Sequence, residues 1–206
     1  MSDKLWESNK RSIVEYYDGL LDQHGATSKV ADASSEETQK ARYRVLSQLC
    51  NYDDGSVLDI GCGLGWFGDY LCYYFDHVKY TGLDLSEKMI RQAEETYRRQ
   101  KHEFICGDIL SHGFSIEPHD IVICNGIFYK LQWQPYSYMF RLIRKAYSLA
   151  NEAVAFNCLN GHKQSWNGEF WARPDLVLAF AMDLCPRVIL RADYLPQDFT
   201  VFLYKK

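Results

Sequence analysis

Three glycines at alternate positions, Gly61, Gly63 and Gly65, follow the run Val57-Leu58-Asp59-Ile60, and three acidic residues stand around them. Asp59 lies two residues before the first glycine. Asp84 closes the stretch Tyr80-Thr81-Gly82-Leu83, 19 residues after Gly65, and Asp108 sits in Cys106-Gly107-Asp108-Ile109. Glycines lack a Cβ, so a ligand can approach the backbone and the turn can take dihedrals closed to other residues. An acid at the end of the next strand can accept from both hydroxyls of a ribose. The pattern is a clamp for a nucleoside-bearing cofactor.

Two cofactor classes compete for this clamp. A sulfonium nucleoside needs close backbone approach to its methionine part, an acceptor for its ribose, apolar walls and one polar contact for its adenine, and donors for its carboxylate. Gly61, Cys62, Gly63 and Gly65 form the turn, Asp59 can accept from the ammonium directly or through water, and Asp84 can take the ribose. Asp108 can accept from the adenine amino group, between the apolar walls Ile109, Leu85 and Met89. Arg42 or Gln39, in the helix before the first strand, can meet the carboxylate, for which a guanidinium fork is suited. A dinucleotide needs G-x-G-x-x-G after the first strand, and the frame Gly63-Leu64-Gly65-Trp66-Phe67-Gly68 fits that expression. Against it, Trp66 and Phe67 would crowd a pyrophosphate, Asp59 lies near where an anion would bind, and no second mononucleotide half follows.

The elements that must position these residues alternate. Strands are expected at 56–60, 78–83, 103–107, 119–125 and 152–158, with helices at 66–76, 86–100, 136–150 and 174–184. Strands separated by helices predict a parallel sheet with right-handed crossovers. The end differs: 187–193 and 199–204 read as two strands joined by a short turn, which must be antiparallel. Ahead of the sheet, helical spacing over 4–22 runs to Gly25, and Ser34 or Ser35 caps a second helix to about Cys50. The chain is expected to be one domain over 1–206, with 1–52 as N-terminal helices and 53–206 as the α/β core.

Bulk properties narrow the partners. The 206 residues suit one domain with a full core. Apolar residues make up 47% and charged residues 24%, as in an ordinary soluble protein. A net charge of −4 disfavours nucleic acid, which needs a basic face. The basic residues Arg91, Arg98, Arg99 and Lys101 read as a solvated helix face. Seven cysteines, an odd number with no Cys-x-x-Cys, read as small core residues in a reducing compartment, so no metal site is expected and a cytoplasmic location is. No apolar stretch is long enough to span a bilayer.

The four segments V-L-D-I-G-C-G-L-G, T-G-L-D-L-S, F-I-C-G-D-I and H-D-I-V-I-C-N-G-I-F resemble those of the class I S-adenosylmethionine-dependent methyltransferases. More narrowly, the chain resembles small bacterial members, mostly of unassigned substrate, that pair a tyrosine-rich N-terminal helix ending in His-Gly with a C-terminal aromatic strand. These are Tyr16-Tyr17-Asp18 to His24-Gly25 and Asp198-Phe199-Thr200-Val201 to Tyr204. The resemblance implies a Rossmann-like α/β fold with a seven-stranded sheet, mostly parallel, the C-terminal strand antiparallel, helices on both faces and an N-terminal helical lid. It implies S-adenosylmethionine as cofactor and S-adenosylhomocysteine as product. It places Asn125 and Phe128 beside the methionine side and the methyl, and one of Tyr16 and Tyr17 in the pocket. Nucleobase amino methylation is disfavoured, because Asn-Gly-Ile-Phe stands where such enzymes carry two prolines.

Methyl transfer is an in-line displacement with a neutral leaving thioether, so positioning supplies most of the catalysis. A base is needed only for an acceptor that arrives protonated. His24 and His162 are the base candidates by location, while His77, His102, His112 and His119 lie at strand starts or loops near the opposite edge. Catalytic roles are therefore expected among Tyr17, His24, Asn125 and His162. Trp166, Phe170 and Trp171, in the stretch from Asn160 to Arg173, are candidate walls of an acceptor pocket. The expected acceptor is a small molecule, at oxygen, nitrogen or carbon. An RNA or protein/peptide methyltransferase of the same fold, or a cofactor-binding module without turnover, are the other readings.

Overall fold

The computed structural model describes residues 3–31, 35–163 and 168–205. Helix α1 (Asp3–His24) turns its apolar positions inward and ends at Gly25, whose φ of +59° suits a residue without a Cβ. A 3₁₀ turn (Ser28–Ala31) leads to α2 (Glu36–Leu46), capped by Ser35, whose hydroxyl accepts from the Thr38 amide at 3.1 Å. Ser34, the other cap candidate, lies outside the described residues.

Strand and helix then alternate: β1 (Ser56–Ile60), α3 (Trp66–Tyr74), β2 (Lys79–Asp84), α4 (Glu87–Tyr97), β3 (Glu103–Cys106), β4 (His119–Cys124), α5 (Pro135–Leu149), β5 (Ala150–Asn160), β6 (Trp171–Ala172), α6 (Pro174–Leu184), β7 (Arg187–Arg191) and β8 (Asp198–Tyr204). The path across the sheet is β3-β2-β1-β4-β5-β8-β7. β8 is antiparallel to both β5 and β7, and the other pairings are parallel.

The sheet has eight strands, which corrects the expectation of seven. β5 is 11 residues long and outruns β4, which ends beside Phe156. The overhang leaves an unpaired backbone edge at Leu159 and Asn160, and Trp171 and Ala172 cover it. A two-residue strand carries no periodic signal in the sequence.

Alternation along the strands sorts the core into two layers. Leu58, Ile60, Val122, Cys124, Val154 and Phe156 face α5 and α6. Val57, Ile121, Ile123, Ala153, Ala155 and Phe202 face α2 and α3. A third cluster joins Leu21, Val30, Leu64 and Met89, so the end of α1 sits over the glycine turn. Asn9, fully buried, ties α1 to the segment after β4: its amide donates to the Trp133 carbonyl at 2.9 Å and accepts from the Gln132 and Trp133 amides.

Candidate active site

The strand ends of β1, β2, β3 and β4 open into one cleft roofed by α1. This is where open α/β sheets bind ligands, because helices and strands diverge beyond the carboxyl edge. The glycine turn forms its floor. The Gly61 and Cys62 amides both donate to the Leu83 carbonyl, at 2.7 and 3.1 Å, which holds the turn against β2. Gly61, Gly63 and Gly65 all have positive φ. Their surroundings differ. A Cβ on Gly61 would meet Ile127 Cγ2 at 2.2 Å and one on Gly65 would meet the Phe104 ring at 2.7 Å, whereas one on Gly63 would meet nothing within 4 Å. Gly63 is thus the point where backbone lies open to a ligand.

Asp84 lines the cleft. One carboxylate oxygen accepts from the Gly63 amide at 2.8 Å, the other from Ser86 at 2.9 Å. Burial pushes its carboxyl above the usual range, opposed by those amides. Leu85, Met89, Ile109 and Phe128 supply apolar walls. Asp108 also lines the cleft, but protein donors meet its carboxylate: Trp6 Nε1 at 2.7 Å, Lys10 Nζ at 3.3 Å and the Leu110 amide at 2.8 Å. The expected adenine contact therefore shares its acceptor with α1.

Asp59 points to the α2 and α3 side of the sheet, and its side chain does not line the cleft. Tyr80 donates to one of its oxygens at 2.7 Å; the other is buried with no partner among the described residues. Burial lifts this carboxyl to about 7, with Tyr80 opposing and the Asp84 charge adding. Buried polar groups normally pair, so this oxygen is unfinished business beside the glycine turn. Arg42 lines the cleft from α2 while its fork grips Asp198, Nε to Oδ2 at 2.5 Å and Nη2 to Oδ1 at 3.3 Å. Burial disfavours the guanidinium charge, and Tyr129 and Asp198 more than offset it. The guanidinium carbon lies 5.1 Å from the Tyr129 ring centroid.

Of the residues singled out from the sequence, the cleft brings together Tyr17, Arg42, Gln39, Gly61, Cys62 and Gly63 on one side. Asp84, Leu85, Met89, Asp108, Ile109, Asn125 and Phe128 complete it. Tyr16 turns outward, with Lys130 Nζ 4.3 Å from its ring centroid, so Tyr17 is the inward tyrosine. Gly65 serves packing against Phe104 and caps α3. Neither base candidate reaches the cleft: His24 ends α1, and His162 is exposed beside Asp175 at 3.7 Å. Phe170 packs edge-on to Tyr136 and Trp171 belongs to β6, so both cover the sheet edge. Trp166 lies outside the described residues.

Sequence reasoning passed over Trp6, Tyr80 and the pairing of Asn157. Asn157 is fully buried; it accepts from the Gly126 amide at 2.7 Å and donates to Asn125 Oδ1 at 2.7 Å. A lone amide inside the apolar run Val154 to Leu159 was its signal, since such a group is costly unless paired.

Residues 57–149 match the family described as a methyltransferase domain. A malonyl-[acyl-carrier protein] O-methyltransferase of Priestia megaterium is 32% identical over 123 residues, 58% of this chain and 42% of that protein. A trans-aconitate 2-methyltransferase of Rhodopseudomonas palustris is 37% identical over 100 residues, 48% of this chain and 36% of that protein. The chain thus spans less than half the length of these relatives. Among solved structures, the magnesium protoporphyrin IX methyltransferase of Synechocystis with bound SAH superposes with a TM-score of 0.69 at 17% identity, covering 96% of this chain and all of that one.

Proposed function

We propose that this chain, which carries the class I S-adenosylmethionine-dependent methyltransferase fold, moves a methyl group from that cofactor to a small-molecule acceptor. The observation that carries the reading is the convergence of an open glycine backbone at Gly63 with two acids, Asp84 and Asp108, from successive strand ends in one cleft. The cleft suits the cofactor by its own chemistry. Gly63 leaves room at the backbone, Asp84 offers an acceptor to vicinal hydroxyls, and Leu85, Met89 and Ile109 flank a flat apolar ring.

When bound, the sulfonium supplies an electrophilic methyl and leaves as a neutral thioether, so no general acid is called for. The chain's residues hold, orient and exclude water. Tyr17 from the lid and Asn125 and Phe128 after β4 line the cleft and are assigned to positioning the acceptor. Residues 1–52 act as the lid on the α/β core. The names of the relatives support a small or carrier-borne acceptor. The acidic balance argues against RNA, and Arg91 is already paired with Glu87 at 2.5 Å on the outer face of α4. No described helix is long and apolar enough to cross a membrane. The seven free cysteines support a reducing, cytoplasmic setting.

Titration calorimetry with S-adenosylmethionine and S-adenosylhomocysteine tests the reading. Both should bind, and Asp84→Ala should weaken binding by roughly ten- to hundredfold, the worth of hydrogen bonds to a charged group. Binding of neither compound, or equal binding by the variant, would overturn it.

A further inference from the structure

We infer that the acceptor presents an oxygen anion, a carboxylate, to the methyl, and that Asn157 sets this preference by fixing the amide of Asn125. The inference rests on the methyltransferase reading above and names the substrate class of the same site.

The two ends of an asparagine amide have nearly the same shape and opposite polarity. Here a backbone group decides both. The Gly126 amide can only donate, so the Asn157 atom 2.7 Å from it is the carbonyl oxygen. The other end of Asn157 is then its NH₂, which lies 2.7 Å from Asn125 and demands an oxygen there. Asn125 Oδ1 is thereby turned toward Asn157. Among the described residues nothing holds its NH₂, on a residue that lines the cleft. Asn157 is fully buried, so no water can take over if it turns, and a flip would set two donors and two acceptors against each other. Whatever meets the free end of the Asn125 amide therefore meets a donor. A protonated amine brings another donor to that point; a carboxylate brings an acceptor.

The cleft's titratable groups agree. All six histidines lie among the described residues and none lines it; no described lysine or glutamate lines it either. Of its carboxylates, Asp84 is engaged by the Gly63 and Ser86 amides, and Asp108 by Trp6, Lys10 and Leu110. Burial pushes the Cys62 thiol further from ionisation. An alcohol or an ammonium acceptor needs a proton removed; a carboxylate is ionised at neutral pH and needs none. In the step itself, an oxygen lone pair forms the new C–O bond while the methyl C–S bond breaks and its pair stays on sulfur. One negative and one positive charge become a neutral ester and a neutral thioether, and no proton moves.

The test uses the full chain saturated with S-adenosylhomocysteine, titrated by ligand-observed NMR with benzoate and octanoate against benzylamine and octylamine. Carboxylates should bind at least about tenfold more tightly than the matched amines. Asn157→Asp keeps the acceptor for Gly126 and removes the donor to Asn125, so the Asn125 amide turns and shows its oxygen to the cleft. That variant should lose the carboxylate preference while its circular dichroism stays unchanged and it still binds S-adenosylhomocysteine. Asn125→Asp should lose it as well. Amines binding as well as carboxylates, neither carboxylate binding at millimolar concentration, or a preference untouched by both variants would each overturn the inference. With labelled S-adenosylmethionine and metabolite extract, mild alkali should release the transferred label as volatile methanol, and alkali-stable label would overturn it too. Failure of S-adenosylhomocysteine to bind the native chain removes the underlying reading, and is seen before any acceptor is added.

Discussion

The Trp6 indole donates to the Asp108 carboxylate at 2.7 Å, across 102 residues of sequence. One residue belongs to the first turns of α1, the other to the edge of the cleft. Helix α1 is therefore fastened to a polar group of the cleft itself, and Trp6 adds ring contact with Tyr138 at 5.2 Å. Trp6→Phe keeps most of the apolar volume and removes the hydrogen bond. A bond to a charged group is worth about 1.5–3 kcal/mol. The denaturant midpoint should fall accordingly, and trypsin should cut sooner at Lys10 and Arg11. Unchanged cleavage would show that α1 is held by other contacts.

Arg42 and Asp198 form a buried pair joining α2 to the start of β8. Removing one partner leaves the other charge buried, at a cost of about 3–5 kcal/mol. Arg42→Met should approach that loss in urea unfolding. Adding Asp198→Asn to Arg42→Met should recover part of it, and a double-mutant cycle measures the coupling.

Asp59 makes stability depend on pH. Burial raises its carboxyl from 3.8 in the unfolded chain to about 7 in the fold. Between these values the native state holds a proton that the unfolded chain has released. The contribution is full below about pH 4 and is lost as pH rises through about 7. Asp59→Asn should flatten the stability profile over this window and be the more stable protein at pH 8, by no more than roughly 4 kcal/mol. Parallel profiles for the two proteins would contradict this.

The glycines of the turn should separate by role. At Gly63, alanine meets open space and bears only the strain of φ +54°, on the order of 1–2 kcal/mol, while its methyl intrudes where the ligand backbone contact belongs. Gly63→Ala should fold and bind S-adenosylmethionine at least about tenfold more weakly. At Gly61, alanine collides with Ile127 Cγ2 at 2.2 Å, so Gly61→Ala should lower the melting temperature more than Gly63→Ala does. Thermal unfolding with and without cofactor distinguishes the two effects.

The alternating run of strands and helices, the glycine turn, the acids at three strand ends and the antiparallel terminal hairpin were all legible in the sequence, because each is a local pattern with a fixed period or spacing. Leu85, Met89, Ile109 and Asp84 were placed in the cleft by that logic alone. What the sequence left open depended on which face a side chain takes and whom it meets at long range. Asp59 and Ile60 are neighbours, yet strand alternation sends one to the α2 side and the other into the cleft lining. His24 and His162 are near the site in chain order and outside it in space, because α1 and the segment after β5 carry them past the rim. Trp6 on Asp108, Arg42 on Asp198 and Asn157 on Asn125 join residues 102, 156 and 32 positions apart. Such pairings have no period to read. Only the packed sheet and the N-terminal helices on it decide them, since burial obliges each polar group to find a partner among whatever the fold has brought within reach.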